Sequence, residues 1–143
     1  MTDFNPLALE NQLCFPLYAA SKEITRRYKP FLDPLGLTYT QYVAMMVLWE
    51  QDGITVGELG SKLYLDSATL TPLLKRLEAH GFVRRERSHE DERAVIVTLT
   101  DEGRALRERA LEVPYCMAGC LEISPEDATE LKMLLEKLLR SIA

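Results

Sequence analysis

Residues 53–103 read GITVGELGSKLYLDSATLTPLLKRLEAHGFVRRERSHEDERAVIVTLTDEG, and the order of signals within them determines the architecture. Thr55 followed by Glu58 is a capping box that opens a short helix. The spacing predicts a second helix from near Asp66 to His80, stopped at Gly81. Leu70, Leu73, Leu74 and Leu77 supply its inward face. Pro72 suits either a helix that begins near Ser67 and forgoes one backbone bond, or a start at Thr71 with proline at the first position. The apolar face reaches back to Leu70 and favours the longer helix. Phe82 to Arg87 and Ala94 to Leu99 read as strands flanking the charged loop Ser88 to Arg93. Helix, turn, helix, strand, loop, strand is the plan of a winged helix-turn-helix: mainly α with a small β wing, built to lay one helix in a DNA major groove.

On the N-terminal side, Leu13, Leu17, Ala20, Ile24 and Phe31 recur at helical spacing and predict a helix from Leu13 to Phe31. Pro16 belongs in its first turn. Pro30, Asp33-Pro34 and Gly36 end it. Thr38 with Gln41 is a second capping box. The helix it opens carries Tyr42, Met45, Met46 and Trp49 as an expected buried stripe, and Asp52-Gly53 closes it. On the C-terminal side, Thr100 caps a long helix that runs through Leu106 and Ala110 to near Pro114 or beyond, with a kink there. Ser124-Pro125-Glu126-Asp127 is an N-cap, a first-turn proline and two first-turn acids. The last helix carries Leu131, Leu134, Leu135, Leu138, Leu139 and Ile142, a stripe too wide for the edge of a small monomer. Residues 1–35 and 101–143 are therefore expected to dimerise around a winged unit at 38–100. Two-fold symmetry suits DNA half-sites spaced about 34–36 Å apart. The alternative is that these helices cover the winged unit within one chain.

A net charge of −5 at first argues against DNA. Its distribution matters more. Residues 61–87 balance to +3, whereas 1–60 and 101–143 each balance to −3. The longest apolar run, Val43 to Trp49, is too short for a bilayer, and no basic leader precedes it, so a cytoplasmic protein without a membrane partner is expected. Three cysteines, an odd number, favour free thiols over a secreted disulfide framework. His80 and His89 are isolated and no CxxC pair occurs, so neither a metal site nor a cofactor is expected.

The reading helix begins with small hydroxyl residues, Ser67, Thr69 and Thr71, which suit phosphate contacts and close approach to base edges. Lys75 and Arg76 follow, and Arg84 stands on the basic strand. In the loop, Arg93 is expected to reach the narrow minor groove, where negative potential is enhanced. The alternative is a solvated loop in which Asp91 and Arg93 pair with each other.

The segment LDSATLTPLLKRLE (65–78), with Gly81 and Asp91-Glu92-Arg93, resembles the MarR family of dimeric repressors. NQLCFPLY (11–18), Tyr28-Lys29-Pro30 and LTYTQY (37–42) closely resemble its organic-hydroperoxide-sensing members, the OhrR type. The resemblance covers nearly the whole chain. It implies a homodimeric repressor of double-stranded operator DNA, with an organic hydroperoxide as oxidant. It assigns Cys14 as the redox-sensing thiol, gives Tyr28 and Tyr39 as phenolic donors to its sulfur, and places Tyr18 nearby. It also implies a partner thiol from the other subunit near the long helix. Cys120 is favoured over Cys116, and a small cellular thiol is the alternative.

The residues themselves say less. A lone cysteine on an apolar helix is usually inert core. A thiolate is the nucleophile, and a free cysteine with a pKa of about 8.5 needs help to ionise. Cys14 lies beside Pro16 at a helix start, where unpaired N–H groups favour an anion. Phe15, Leu17 and Met46 are apolar and suit an organic peroxide. Two competing readings remain: a regulator that binds a phenolic or lipophilic ligand non-covalently between helices, and a thiol peroxidase. No second cysteine lies close in sequence to recycle Cys14, and a peroxidase would have no use for a wing, so no enzymatic activity is expected.

Overall fold

A computed structural model of the chain describes residues 3–143. A 3-10 turn at Leu9–Asn11 leads into α1, Cys14–Leu32. Pro16 lies in its first turn. Pro30 does not end the helix as expected; it lies inside it. Its fixed φ is helical, and its missing N–H costs one bond near the last turn, which the helix tolerates. The stop comes later, in the 3-10 turn Asp33–Leu35 and at Gly36, whose φ of 72° is left-handed. Next comes α2, Tyr39–Glu50, opened by the Thr38–Gln41 capping box: the Gln41 N–H donates to Thr38 Oγ1, and the Thr38 N–H donates to Gln41 Oε1.

The predicted stripe on α2 is corrected. Tyr42 and Met45 are buried, but Met46 is 44% exposed and Trp49 half-buried, while Ala44 and Leu48 complete the buried side. Residues 43–49 are apolar all round, so periodicity could not choose the face.

A two-residue strand, β1 (Ile54–Thr55), precedes α3 (Val56–Leu63) and was not foreseen. After α4 (Ser67–Ala79) come β2 (Val83–Arg87) and β3 (Val95–Leu99), each trimmed by one residue from its expected start. The sheet is antiparallel in the order β1-β3-β2, with Val83 opposite Leu99, Arg85 opposite Val97 and Ile54 opposite Val97 on the other edge. The long helix is broken rather than kinked. α5 spans Asp101–Ala110 and α6 spans Val113–Cys120, with a turn at Leu111 and Glu112. Pro114 would clash with the Ala110 carbonyl in a continuous helix, so it starts a new one. α7, Pro125–Ile142, is capped as expected by Ser124, whose Oγ accepts the Asp127 N–H.

The core lies between α2, α3, α4 and the sheet. Leu48, Leu59, Leu74, Leu77 and Val97 are fully enclosed there, and each contributes about 1.5–3 kcal/mol by leaving water. At one junction the packing allows no side chain at all: a Cβ on Gly103 would collide with the Phe82 carbonyl oxygen. Outside this core, α7 has no buried residue, and Leu131, Met133 and Leu134 stand open. No helix among the described residues is long and apolar enough to cross a membrane.

Candidate functional site

Two regions carry the expected chemistry. In the first, α4 starts on Asp66, whose Oδ1 accepts the Thr69 N–H at 2.8 Å. That bond holds the Asp66 carboxyl below the usual carboxylate range. Leu70, Leu73, Leu74 and Leu77 are buried, as the spacing requires. Ser67, Thr69, Lys75 and Arg76 are exposed and Thr71 is half-buried. At 100° per residue, the direction opposite the leucines belongs to Ala68, Pro72, Lys75 and Ala79. From sequence, Ala68 carries no assigned role and Pro72 bears only on where the helix begins, although the helical wheel alone places both on this side.

Arg84 projects from β2 into solvent, but its neighbour Arg85 is committed to the fold. The Arg85 backbone N–H donates to Glu78 Oε2 at 3.0 Å, and its guanidinium donates to Glu78 Oε1 at 3.1 Å. These contacts, the backbone bond foremost, pull the Glu78 carboxyl below its ordinary range. They also tie the wing to the reading helix.

The loop between β2 and β3 is pinned by its own polar groups. Ser88 Oγ accepts the N–H groups of Glu90 and Asp91. Asp91 Oδ1 accepts the backbone N–H of Arg93 at 3.0 Å. The pairing of Asp91 with Arg93 therefore uses the Arg93 main chain, and its exposed side chain stands at the mouth of a cleft shared with Thr71, Thr55 and Arg85.

The second region holds the thiol and the phenols, and here one chain does not bring the expected residues together. Cys14 is the first residue of α1 and is exposed. Tyr18 is 64% exposed and its ring lies 6.5 Å from that of Phe15. Tyr28 and Tyr39 do meet, with ring centroids 4.8 Å apart, and Tyr42 joins them at 5.8 Å from Tyr28. Burial pushes the phenols of Tyr28 and Tyr42 up, with neighbouring tyrosines adding to the effect. Both thus remain O–H donors. Fourteen residues on α1 separate Cys14 from Tyr28, about 21 Å along the axis. Cys116 is exposed and Cys120 half-buried, both on α6. Cys116 shares a cleft with Pro30 and Phe31 at the far end of α1 from Cys14. Met46 lines a cleft of about 300 Å³ with Tyr42, Trp49, Arg107, Leu111 and Pro114, and neither Phe15 nor Leu17 belongs to that lining.

A helix-turn-helix flanked by a pinned wing, with Lys75, Arg76, Arg84 and Arg93 exposed on helix and wing, defines a winged-helix DNA-binding regulator. Comparison with known proteins narrows this. A family model described as transcriptional regulator SarA/Rot matches residues 26–109. The chain is 50% identical over 139 residues to the organic hydroperoxide resistance transcriptional regulator of Bacillus subtilis (strain 168), spanning 97% of this chain and 95% of that one. It superimposes on reduced AbfR bound to DNA with a TM-score of 0.81 at 40% identity, covering 94% of this chain and 92% of that one. Against the disulfide form of AbfR, a Staphylococcus epidermidis protein, the TM-score is 0.66 at 41% identity, with 92% of each chain covered. The chain belongs to the MarR-type winged-helix transcriptional regulators, in the branch of the organic hydroperoxide resistance (OhrR-type) regulators.

Proposed function

We propose that the protein is a homodimeric repressor that leaves its operator when an organic hydroperoxide oxidises Cys14. The observation that carries this reading is the near full-length identity to the Bacillus subtilis regulator, which comes with a solvent-open cysteine at the first turn of α1. No side chain among the described residues caps that helix, so its free N–H groups suit an anionic sulfur. The 21 Å between Cys14 and Tyr28 is too far for a hydrogen bond within one chain. The family resemblance gives the phenols of Tyr28 and Tyr39 as donors to the sulfur, and on this reading the sulfur they meet is Cys14 of a second copy. The uncovered apolar face of α7 supports such an assembly.

In the reaction, the Cys14 thiolate attacks one peroxide oxygen. An S–O bond forms to the terminal, proton-bearing oxygen, the O–O bond breaks, and the alkoxide takes a proton from solvent and leaves as the alcohol. The resulting sulfenic acid condenses with a thiol of α6 in the other subunit, forming a disulfide and releasing water. Cys120 is the favoured partner and Cys116 the second choice. Both DNA-bound forms of AbfR, reduced and overoxidised, match the chain better than the disulfide form does, which supports a DNA-competent shape. On the operator, Ser67, Thr69, Thr71, Lys75, Arg76 and Arg84 contact the major groove and its phosphates, and Arg93 contacts the minor groove.

The test is an operator gel shift titrated with cumene hydroperoxide. Wild-type protein should release the DNA and Cys14→Ser should stay bound; release of Cys14→Ser by peroxide would remove Cys14 from the mechanism. The cleft of Tyr42, Met46 and Trp49 favours one second reading, a regulator induced by a lipophilic ligand held non-covalently. In that case thiol blocking would leave induction intact.

A further inference from the structure

We infer that Trp49 is a positioning residue that conveys the state of α6 to the base of the wing. The inference rests on the redox reading above, because α6 carries Cys116 and Cys120.

Trp49 faces two places at once. It lines a cleft together with Leu111, in the turn between α5 and α6, and Pro114, in the first turn of α6. Its Nε1–H donates to the Gly103 carbonyl at 2.8 Å.

Gly103 has no freedom to absorb a push. It lies against the Phe82 carbonyl with no room for a Cβ. Its N–H donates to Thr100 Oγ1, and the Thr100 N–H donates to the same Phe82 carbonyl at 3.0 Å. Phe82 leads directly into β2. A second tie lies one turn on from Trp49: Asp52 Oδ1 accepts the Leu99 N–H at 2.8 Å, and its carboxylate faces Arg104 at 3.8 Å. The end of α2, the start of α5 and the root of the wing thus form one block. The Leu111–Glu112 turn separates that block from α6. A disulfide that displaces α6 moves the Leu111 and Pro114 side of the cleft that the indole lines, and the Trp49–Gly103 bond passes that displacement to the wing.

Trp49 is the only tryptophan of the chain, so its own emission reports on the step. Oxidation of the wild-type protein by cumene hydroperoxide should shift the emission to the red, in step with operator release, and Cys14→Ser should show neither change. Trp49→Phe keeps an aromatic ring and loses the N–H donor. Its reduced form should bind operator within about threefold of wild type. Its loss of affinity on oxidation should fall from about 50-fold to less than about fivefold, the range over which a coupling free energy acts. Wild-type release with no change in emission overturns the inference, and so does full release by Trp49→Phe. The wild-type emission measurement stands even if the variant fails to fold. If the wild-type protein keeps its operator after oxidation, the redox reading itself falls, and this inference with it.

Discussion

Glu78 links two recognition parts through one carboxylate. Glu78→Ala removes the bonds that hold β2 to α4, and partial exposure limits the loss to about 1 kcal/mol in a urea titration. The pH dependence has a definite sign. The folded carboxyl is held below its ordinary range, so its stabilisation is present above the unfolded value of about 4.3 and is lost as pH falls through the lowered folded value. The acid limb of a stability profile should be shallower for Glu78→Ala. At the thiol, Tyr28→Phe retains the ring packing against Tyr39 and Tyr42 and removes one donor. Stability should change by less than about 1 kcal/mol, while Cys14 oxidation, followed by sulfenic-acid trapping, slows by about tenfold, the worth of one charge-assisted hydrogen bond.

Among the elements, what was legible in sequence was local. Thr38, Thr55, Thr100 and Ser124 cap helices through bonds spanning three residues, so a short window of sequence contains both partners. The features that escaped are long-range. β1 exists only because Ile54 and Thr55 lie against β3, some forty residues away in sequence. The face that α2 buries depends on what packs against it. Pro30 looked like a terminator because its local rule was applied without the rest of α1, whose remaining bonds carry the helix past it. The phenol cluster was partly legible: resemblance supplied Tyr28 and Tyr39, but Tyr42 joins them only through the packing of α1 on α2. The same contrast governs the root of α5. Gly103→Ala places a methyl group against main chain that cannot yield, so it should cost about 3 kcal/mol and weaken operator binding, read by thermal unfolding and gel shift.

At the scale of the whole molecule, α7 buries no residue, and Leu131, Met133, Leu134 and Ile142 stand open to solvent. On the proposed homodimer, Leu134→Glu should give monomers in sedimentation and a large loss of operator affinity, because each half-site contact would form alone. Dependence on ionic strength provides a separate measure. Removing the Arg93 side chain from both subunits should reduce the slope of log affinity against log salt by about 2. The wing that carries Arg93 has a further consequence. Its tip also presents Glu90 and Glu92, while Asp91 is occupied with the main chain. On the proposed mode of binding, a groove that accepts the guanidinium would offset those carboxylates. On unrelated genomic sequence the same tip meets phosphate with the wrong sign, so the regulator should dwell only briefly at most sites it samples and spend its time where the fit is correct.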